Sequence, residues 1–201
     1  MGTTGGGDFL LTVKEGPVGI YAEGAKFRSF CTEVNEYVSN DRNYYVTIDE
    51  KAWDGGKTGG PGDPLSAESA YLYTLWLDGS VGEKVFTYDT ANTNALQNAI
   101  WYSEGEKSLS AIGGASSDAK KLYDYAVDAV TQGGDTDSWY NRHENTIGDI
   151  RVLNLWKYSN HTGYAQDQLV RIVPVPAAFV LGMLGMGVAG IRLRKSARRD
   201  G

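Results

Sequence analysis

The chain has 201 residues, of which 41% are hydrophobic and 22% charged, so it is long enough for the core of one globular domain and too apolar for a disordered protein. The net charge is −6, but the last ten residues hold five basic and one acidic side chain and therefore carry +4, which leaves −10 on the other 191. An acidic body repels nucleic acid, so we expect no nucleic-acid partner.

The first fifty residues favour short strands. Residues 1–7 are predicted to be a flexible N-terminus, and residues 8–21 to form two strands around the turn Glu15-Gly16-Pro17. In residues 26–38, KFRSFCTEVNEYV, the apolar spacing fits a helix as well as a strand. The β-branched and aromatic run 44–48 predicts a strand, and residues 54–64, rich in glycine and proline, predict a loop.

The middle of the chain carries three helix patterns, each with capping signals, and the patterns that follow are those of strands. The predicted helices are 66–78 from the N-cap Ser66 to Gly79, 91–104 ending at Gly105, and 117–132 from Ser116 or Ser117 to Gly133. Strands are predicted at 148–159 and 166–173. This order predicts an α+β fold in which a helical insertion interrupts an antiparallel sheet or barrel-like body, residues 8–173.

Residues 174–201 predict a C-terminal hydrophobic helix. Val175–Ile191 is 17 residues without a charge, at the short end of the length that spans a bilayer. The basic cluster that follows would hold this end in the cytoplasm and leave the body on the opposite side. The cluster consists of Arg192, Arg194, Lys195, Arg198 and Arg199. A buried core helix with a solvated basic end is the alternative.

This C-terminal arrangement resembles a PEP-CTERM sorting signal of Gram-negative bacteria. The residues that carry the resemblance are Val173, Pro174, Val175, Pro176 and Ala177, followed by the apolar stretch and the arginine cluster. The family usually has Pro-Glu-Pro, and here Val175 replaces the glutamate. The resemblance implies an exosortase-type processing enzyme as partner, transient residence in the inner membrane, and a final place at the cell surface or outside the cell.

The opening MGTTGGGDFLL lacks the basic region and the apolar run of a secretory signal peptide. Since such a sorting signal implies export, either the true start lies upstream of Met1, which we favour, or the chain has been trimmed.

Cys31 is the only cysteine, so it has no intramolecular disulfide partner. In the predicted helix 91–104, Gln97 shares a face with Ile100 and Trp101, which predicts that its carboxamide is buried. A buried carboxamide without partners costs about 1–3 kcal/mol. Either Gln97 is hydrogen-bonded to strand backbone, or its carboxamide reacts.

Two segments, SFCTEVNEYV and LQNAIWY, resemble the halves of the thioester domain of Gram-positive surface adhesins. In that family a cysteine after an aromatic residue is joined to the glutamine of a Thr-Gln-x-Ala-Ile-Trp motif, and here Leu96 replaces the threonine. The resemblance covers about residues 9–173 but depends on these two motifs. It implies that Cys31, in the opening sheet, and Gln97, in the insertion, form an internal thioester.

A thioester must be shielded from water, and we expect the pocket walls to be Phe30, Ile100, Trp101 and Tyr102. Displacement of the thiol by an amine would attach the protein once, without turnover, to an amine-bearing surface or polysaccharide matrix component. We therefore expect neither an enzyme nor a cofactor.

Other interpretations remain open. Cys31 could be an inert buried thiol or pair with a second molecule, and the fold could be an unreactive structural or polysaccharide-binding matrix protein whose aromatics stack on sugars. A hydrolase has little support, since Glu104 and Glu106 are expected to be exposed acids near a helix end. His143 and His161, the only histidines, lack the spacing of a zinc helix, so no metal site is expected.

Overall fold

The computed structural model describes residues 7–39, 41–53, 62–81, 90–131, 139 and 146–172, with the backbone alone at 90–92. The predicted sorting tail, from Val173 onward, and residues 1–6 lie outside these ranges. No helix within the described ranges combines the length and the apolar character needed to cross a membrane.

The strands are short before the helices and longer after them. In chain order they are β1 (Phe9–Thr12), β2 (Lys26–Ser29), β3 (Tyr45–Asp49), β4 (Lys51–Ala52), β5 (Asp63–Pro64), β6 (Ile150–Trp156) and β7 (Tyr164–Arg171). Three helices with described bounds lie between β5 and β6: α1 (Ala67–Leu77), α2 (Thr90–Ser103) and α3 (Asp118–Thr131). The prediction of an α+β fold with antiparallel strands is confirmed.

The sheet topology brings the front of the chain against its last strand. β3, β6 and β7 form an antiparallel sheet in that order, and β1 pairs with β2. Just after β2, an isolated bridge pairs Cys31 with Gln168 of β7. It is flanked by two backbone hydrogen bonds, Thr32 N–H to Asp167 O (3.1 Å) and Leu169 N–H to Phe30 O (3.0 Å). The two sheets are therefore joined along one edge of β7.

The helix boundaries follow from capping. Ser66 is extended, and its Oγ accepts a hydrogen bond from Ser69 N–H at 3.2 Å, which is an N-cap contact. Gly79, just past the end of α1, has φ +71°, a left-handed conformation that costs little without a Cβ. At α3, Ser117 Oγ accepts from Lys120 N–H, so Ser117 is the cap. All three predicted helices are confirmed to within about one residue at the described ends.

Two hydrophobic clusters lie on opposite faces of the central sheet. The larger joins the helices to the residues of β6 and β7 that face them, among them Ile150, Val152 and Leu169. The smaller joins the next residues along those strands, Leu153 and Val170, to Phe27 of β2. Because successive strand residues point to opposite faces, one set of strands supplies both clusters.

Two local predictions need correction. Residues 8–21 contain one strand and a single bridge, Val18 to Tyr21, and β1 pairs with β2 instead of a neighbour across the Glu15–Pro17 turn. The loop predicted over 54–64 ends early, because Asp63–Pro64 pairs with Lys51–Ala52. Residues 54–61 of that loop and Gly133 lie outside the described residues.

Candidate functional site

Cys31 lies in extended backbone at the edge of β7. In its bridge with Gln168 the flanking residues make the hydrogen bonds, so the pair is a non-hydrogen-bonded one. The N–H and C=O of Cys31 therefore point away from β7. The segment whose periodicity was ambiguous between helix and strand is extended here, and Cys31 is fully buried.

Helix α2 brings Gln97 to this edge. α2 packs against α1 and α3, and Leu96, Ala99 and Ile100 are fully buried in the larger cluster. Gln97 is also 0% exposed, as the shared helical face predicts.

The structure brings Cys31 and Gln97 into contact at three points. Gln97 Oε1 lies 3.0 Å from Cys31 N and 3.2 Å from Cys31 Sγ, and Gln97 Nε2 donates to Cys31 O at 2.8 Å. The carboxamide thus occupies the place that the backbone of another strand would take. The two hydrogen bonds to the Cys31 backbone are enough to satisfy the buried carboxamide of Gln97. The contact with the sulfur is additional.

Burial raises the pKa of the Cys31 thiol well above its usual range. The hydrogen bond of the Cys31 backbone lowers that pKa, the charge of Glu33 raises it, and the ammonium of Lys107 lowers it. The thiol is therefore protonated at neutral pH, and sulfur becomes a nucleophile only as its proton leaves.

The four expected pocket residues have different surroundings. Ile100 and Trp101 are buried and lie one helical turn beyond Gln97. Phe30 is buried with its ring 4.9 Å, edge to face, from that of Trp76. Tyr102 is only partly buried, and its ring packs 4.7 Å from Tyr123 of α3, so it belongs to the α2–α3 contact.

Lys107 is a polar neighbour of the site that the sequence patterns did not indicate. Its Nζ lies 4.1 Å from the ring centroid of Trp101 and donates to Asn98 Oδ1 at 2.8 Å. Desolvation lowers the pKa of Lys107, while its interaction with Cys31 raises it. It lies beyond the end of α2, where helical spacing no longer predicts which residues meet.

Glu104 and Glu106 are not the exposed acids that we expected. Glu104 is buried, and Ser66 Oγ donates to its Oε1 at 2.6 Å. Burial raises the pKa of Glu104 to about 7, and the hydrogen bonds from Ser66 offset part of that rise. Glu106 Oε2 accepts a hydrogen bond from Val34 N–H at 3.0 Å. Both carboxyls join α2 to other elements.

The predicted sorting residues, from Val173 to Ala177, and the basic cluster, from Arg192 to Arg199, lie outside the described residues. Comparison of the chain with protein-family models, with curated proteins and with solved structures found no match. The resemblances to known families therefore depend on the motifs alone.

Proposed function

We propose that this protein is exported and attaches itself covalently to amine-bearing partners through an internal thioester between Cys31 and Gln97. The observation that supports the proposal is the buried contact of 3.2 Å between Cys31 Sγ and Gln97 Oε1, with both side chains fully buried. The motif SFC and the motif QNAIW supply the two halves of that contact.

Formation of the thioester needs no co-reactant. Sulfur attacks Cδ of Gln97, the C–N bond breaks, and the thiol proton leaves with the nitrogen as ammonia. Cys31 N–H, which already donates to Gln97 Oε1, would stabilise the charge that develops on that oxygen, as the donors of an oxyanion hole do. Because the two groups are already in contact, no bimolecular encounter is needed. In well-oriented cases this lowers the activation free energy by up to about 7–11 kcal/mol.

In the capture of a partner, Cys31 is the leaving group and no longer the nucleophile. A neutral amine attacks Cδ of Gln97, a C–N bond forms, the C–S bond breaks, and a proton returns to the Cys31 sulfur. The product is a stable amide between Gln97 and the partner. The partner class is thus an amine-bearing surface or polysaccharide matrix component, and each molecule reacts once.

The proposed location follows from the C-terminal sequence. Residues 174–201 would form a hydrophobic helix that stays in the inner membrane until an exosortase-type enzyme processes the chain near Val173–Ala177. The body, whose sheets we propose to close in a barrel-like arrangement, would then act at the cell surface or outside the cell.

Intact mass of the purified full chain tests the proposal. We expect the protein to be lighter than its sequence by one ammonia, and methylamine to add its full mass to that form. Cys31→Ala should show neither change. A wild-type mass equal to the sequence mass, with no methylamine adduct, would contradict the proposal.

Exposed aromatic side chains near β3 and β6 favour a second candidate, non-covalent binding of matrix polysaccharide. Trp53 is 44% exposed and packs edge to face on Trp156 at 4.8 Å. Tyr45, the register partner of Trp156, is 53% exposed. Such rings offer flat apolar faces with polar edges, which suit stacking on sugars.

A further inference from the structure

A second glutamine, Gln168, lies beside Cys31 and has no visible structural role. Its side chain is fully buried, and neither Oε1 nor Nε2 has a hydrogen-bond partner among the residues that the structure describes. A buried polar group that gives up water without a replacement destabilises the fold. Gln166, two residues earlier in β7, has a hydrogen-bond partner, as buried side chains usually do: its Nε2 donates to Glu33 O at 2.8 Å.

The sheet register places the side chain of Gln168 beside that of Cys31. Cys31 and Gln168 are bridge partners, so their side chains project from the same face of the sheet. They form a non-hydrogen-bonded pair, the type in which the two Cα atoms are closest and the side chains come nearest. The unpartnered carboxamide of Gln168 therefore belongs to the surroundings of the sulfur.

We propose that Gln168 belongs to the Cys31–Gln97 centre as a hydrogen-bond donor, and that its Nε2 donates a hydrogen bond to the Cys31 sulfur whenever that sulfur becomes negatively charged. The inference rests on the proposed thioester chemistry. Negative charge develops on the sulfur as its proton departs during attack, and again as an amine displaces it from Gln97. A donor that is free in the resting site can stabilise both steps without first breaking another bond.

Charge on the sulfur needs such a donor because Cys31, Gln97 and Gln168 are all fully buried. Hydrogen bonds to an ionised acceptor are about twice as strong as neutral ones. Cys31 N–H is already engaged with Gln97 Oε1, so it does not supply one to the sulfur. The ammonium of Lys107 acts through its charge, and its described hydrogen bond goes to Asn98.

The test compares Gln168→Met with wild type in the full chain. Methionine is unbranched and similar in length to glutamine, so the variant removes the donor while filling the space. We expect Gln168→Met to have a higher denaturation midpoint, because an unpartnered polar group is gone, and to capture methylamine about tenfold more slowly. The capture rate is measured by intact mass over time.

Gln166→Met is the matched control, because it removes a buried glutamine of the same strand that does have a partner. It should lower the denaturation midpoint and leave the capture rate within about twofold of wild type. A second variant, Gln168→Leu, removes the N–H donors with a shorter apolar side chain, so it should slow capture about as much as Gln168→Met.

The outcomes separate this inference from the proposed function. If wild type lacks the ammonia deficit, the thioester and the role of Gln168 both fail. If wild type has the deficit and both Gln168 variants capture methylamine at the wild-type rate, the thioester stands and the role of Gln168 is overturned. Slower capture in the Gln168 variants but not in Gln166→Met supports the role.

Discussion

The carboxamide of Gln97 substitutes for a strand: its Oε1 and Nε2 bind the N–H and C=O of Cys31 as backbone groups would. Gln168, on the other side of Cys31, makes no such bonds within the described part of the chain. Gln97 should therefore stabilise the folded protein, whereas Gln168 should destabilise it.

We predict that Gln97→Met lowers the free energy of unfolding by about 2–4 kcal/mol, because it leaves two buried backbone groups of Cys31 unpaired. Gln168→Met should raise it by about 1 kcal/mol or more. Both are measured by urea denaturation in a Cys31→Ala background, so that no thioester contributes. Equal losses in both variants would show that Gln168 has a partner in the folded protein.

The charge of Lys107 gives a second prediction at this scale. Because its ammonium lowers the pKa of the Cys31 thiol, Lys107→Met should slow methylamine capture, by about tenfold or less. The control is Lys121→Met, which removes an exposed lysine that pairs with Asp118 on α3. Equal capture rates in both variants would exclude an electrostatic role for Lys107.

How much of the site follows from the sequence depends on the kind of contact. The burial of Gln97 follows from helical periodicity, and its pairing with Cys31 from the two motifs. Gln168 and Lys107 do not, because the bridge to β7 and the position of the chain after α2 arise only in the tertiary fold. Glu104 was misjudged for the same reason: the N-cap Ser66 that binds it belongs to another helix.

At the scale of elements, three side chains of α2 and the turn after it join them to two other parts of the chain. Gln97 binds Cys31, Glu106 accepts from Val34 N–H, and Glu104 accepts from Ser66 at the start of α1. Sequence predicts each helix well, because caps and apolar faces are local signals. The sequence did not predict that β1 pairs with β2, because the packing of the folded chain determines which strands separated in sequence pair with each other.

The contact between Glu104 and Ser66 predicts a pH dependence of stability. Burial raises the pKa of Glu104 from 4.5 to about 7, so the folded protein keeps a proton that the unfolded chain loses between those values. The unfolded state binds fewer protons in that window, and the contribution of Glu104 to stability therefore falls as pH rises from about 4.5 to 7. The total loss is on the order of 3 kcal/mol.

Glu104→Gln isolates this effect, because the amide cannot ionise and its shape is conserved. We expect the difference in unfolding free energy between wild type and Glu104→Gln to change in favour of the variant as pH rises from 4.5 to 7.5. Urea denaturation of both proteins at several pH values measures this difference. The other carboxyl groups titrate alike in both proteins, so their contributions cancel. A difference that is constant across this range would contradict the raised pKa.

At the scale of the whole molecule, charge and the thioester act together on the proposed partner. The chain outside its last ten residues carries a net charge of −10, which attracts a polymer bearing protonated amines. That attraction is screened by salt, whereas an amide bond to Gln97 survives both salt and denaturant. Covalent capture and non-covalent polysaccharide binding can therefore be distinguished on one matrix. Salt and denaturant should release a protein bound non-covalently but not one bound through an amide.

We predict that wild type binds beads of an amino-sugar polymer with free amines and that a fraction stays bound in high salt and denaturant. This fraction should be absent with Cys31→Ala and with the fully acetylated polymer. Only the neutral amine attacks, so below the pKa of the amine the rate should rise about tenfold per pH unit. Binding that denaturant removes completely, and that Trp53→Ala weakens whereas Cys31→Ala does not, would instead support the exposed aromatics as the functional surface.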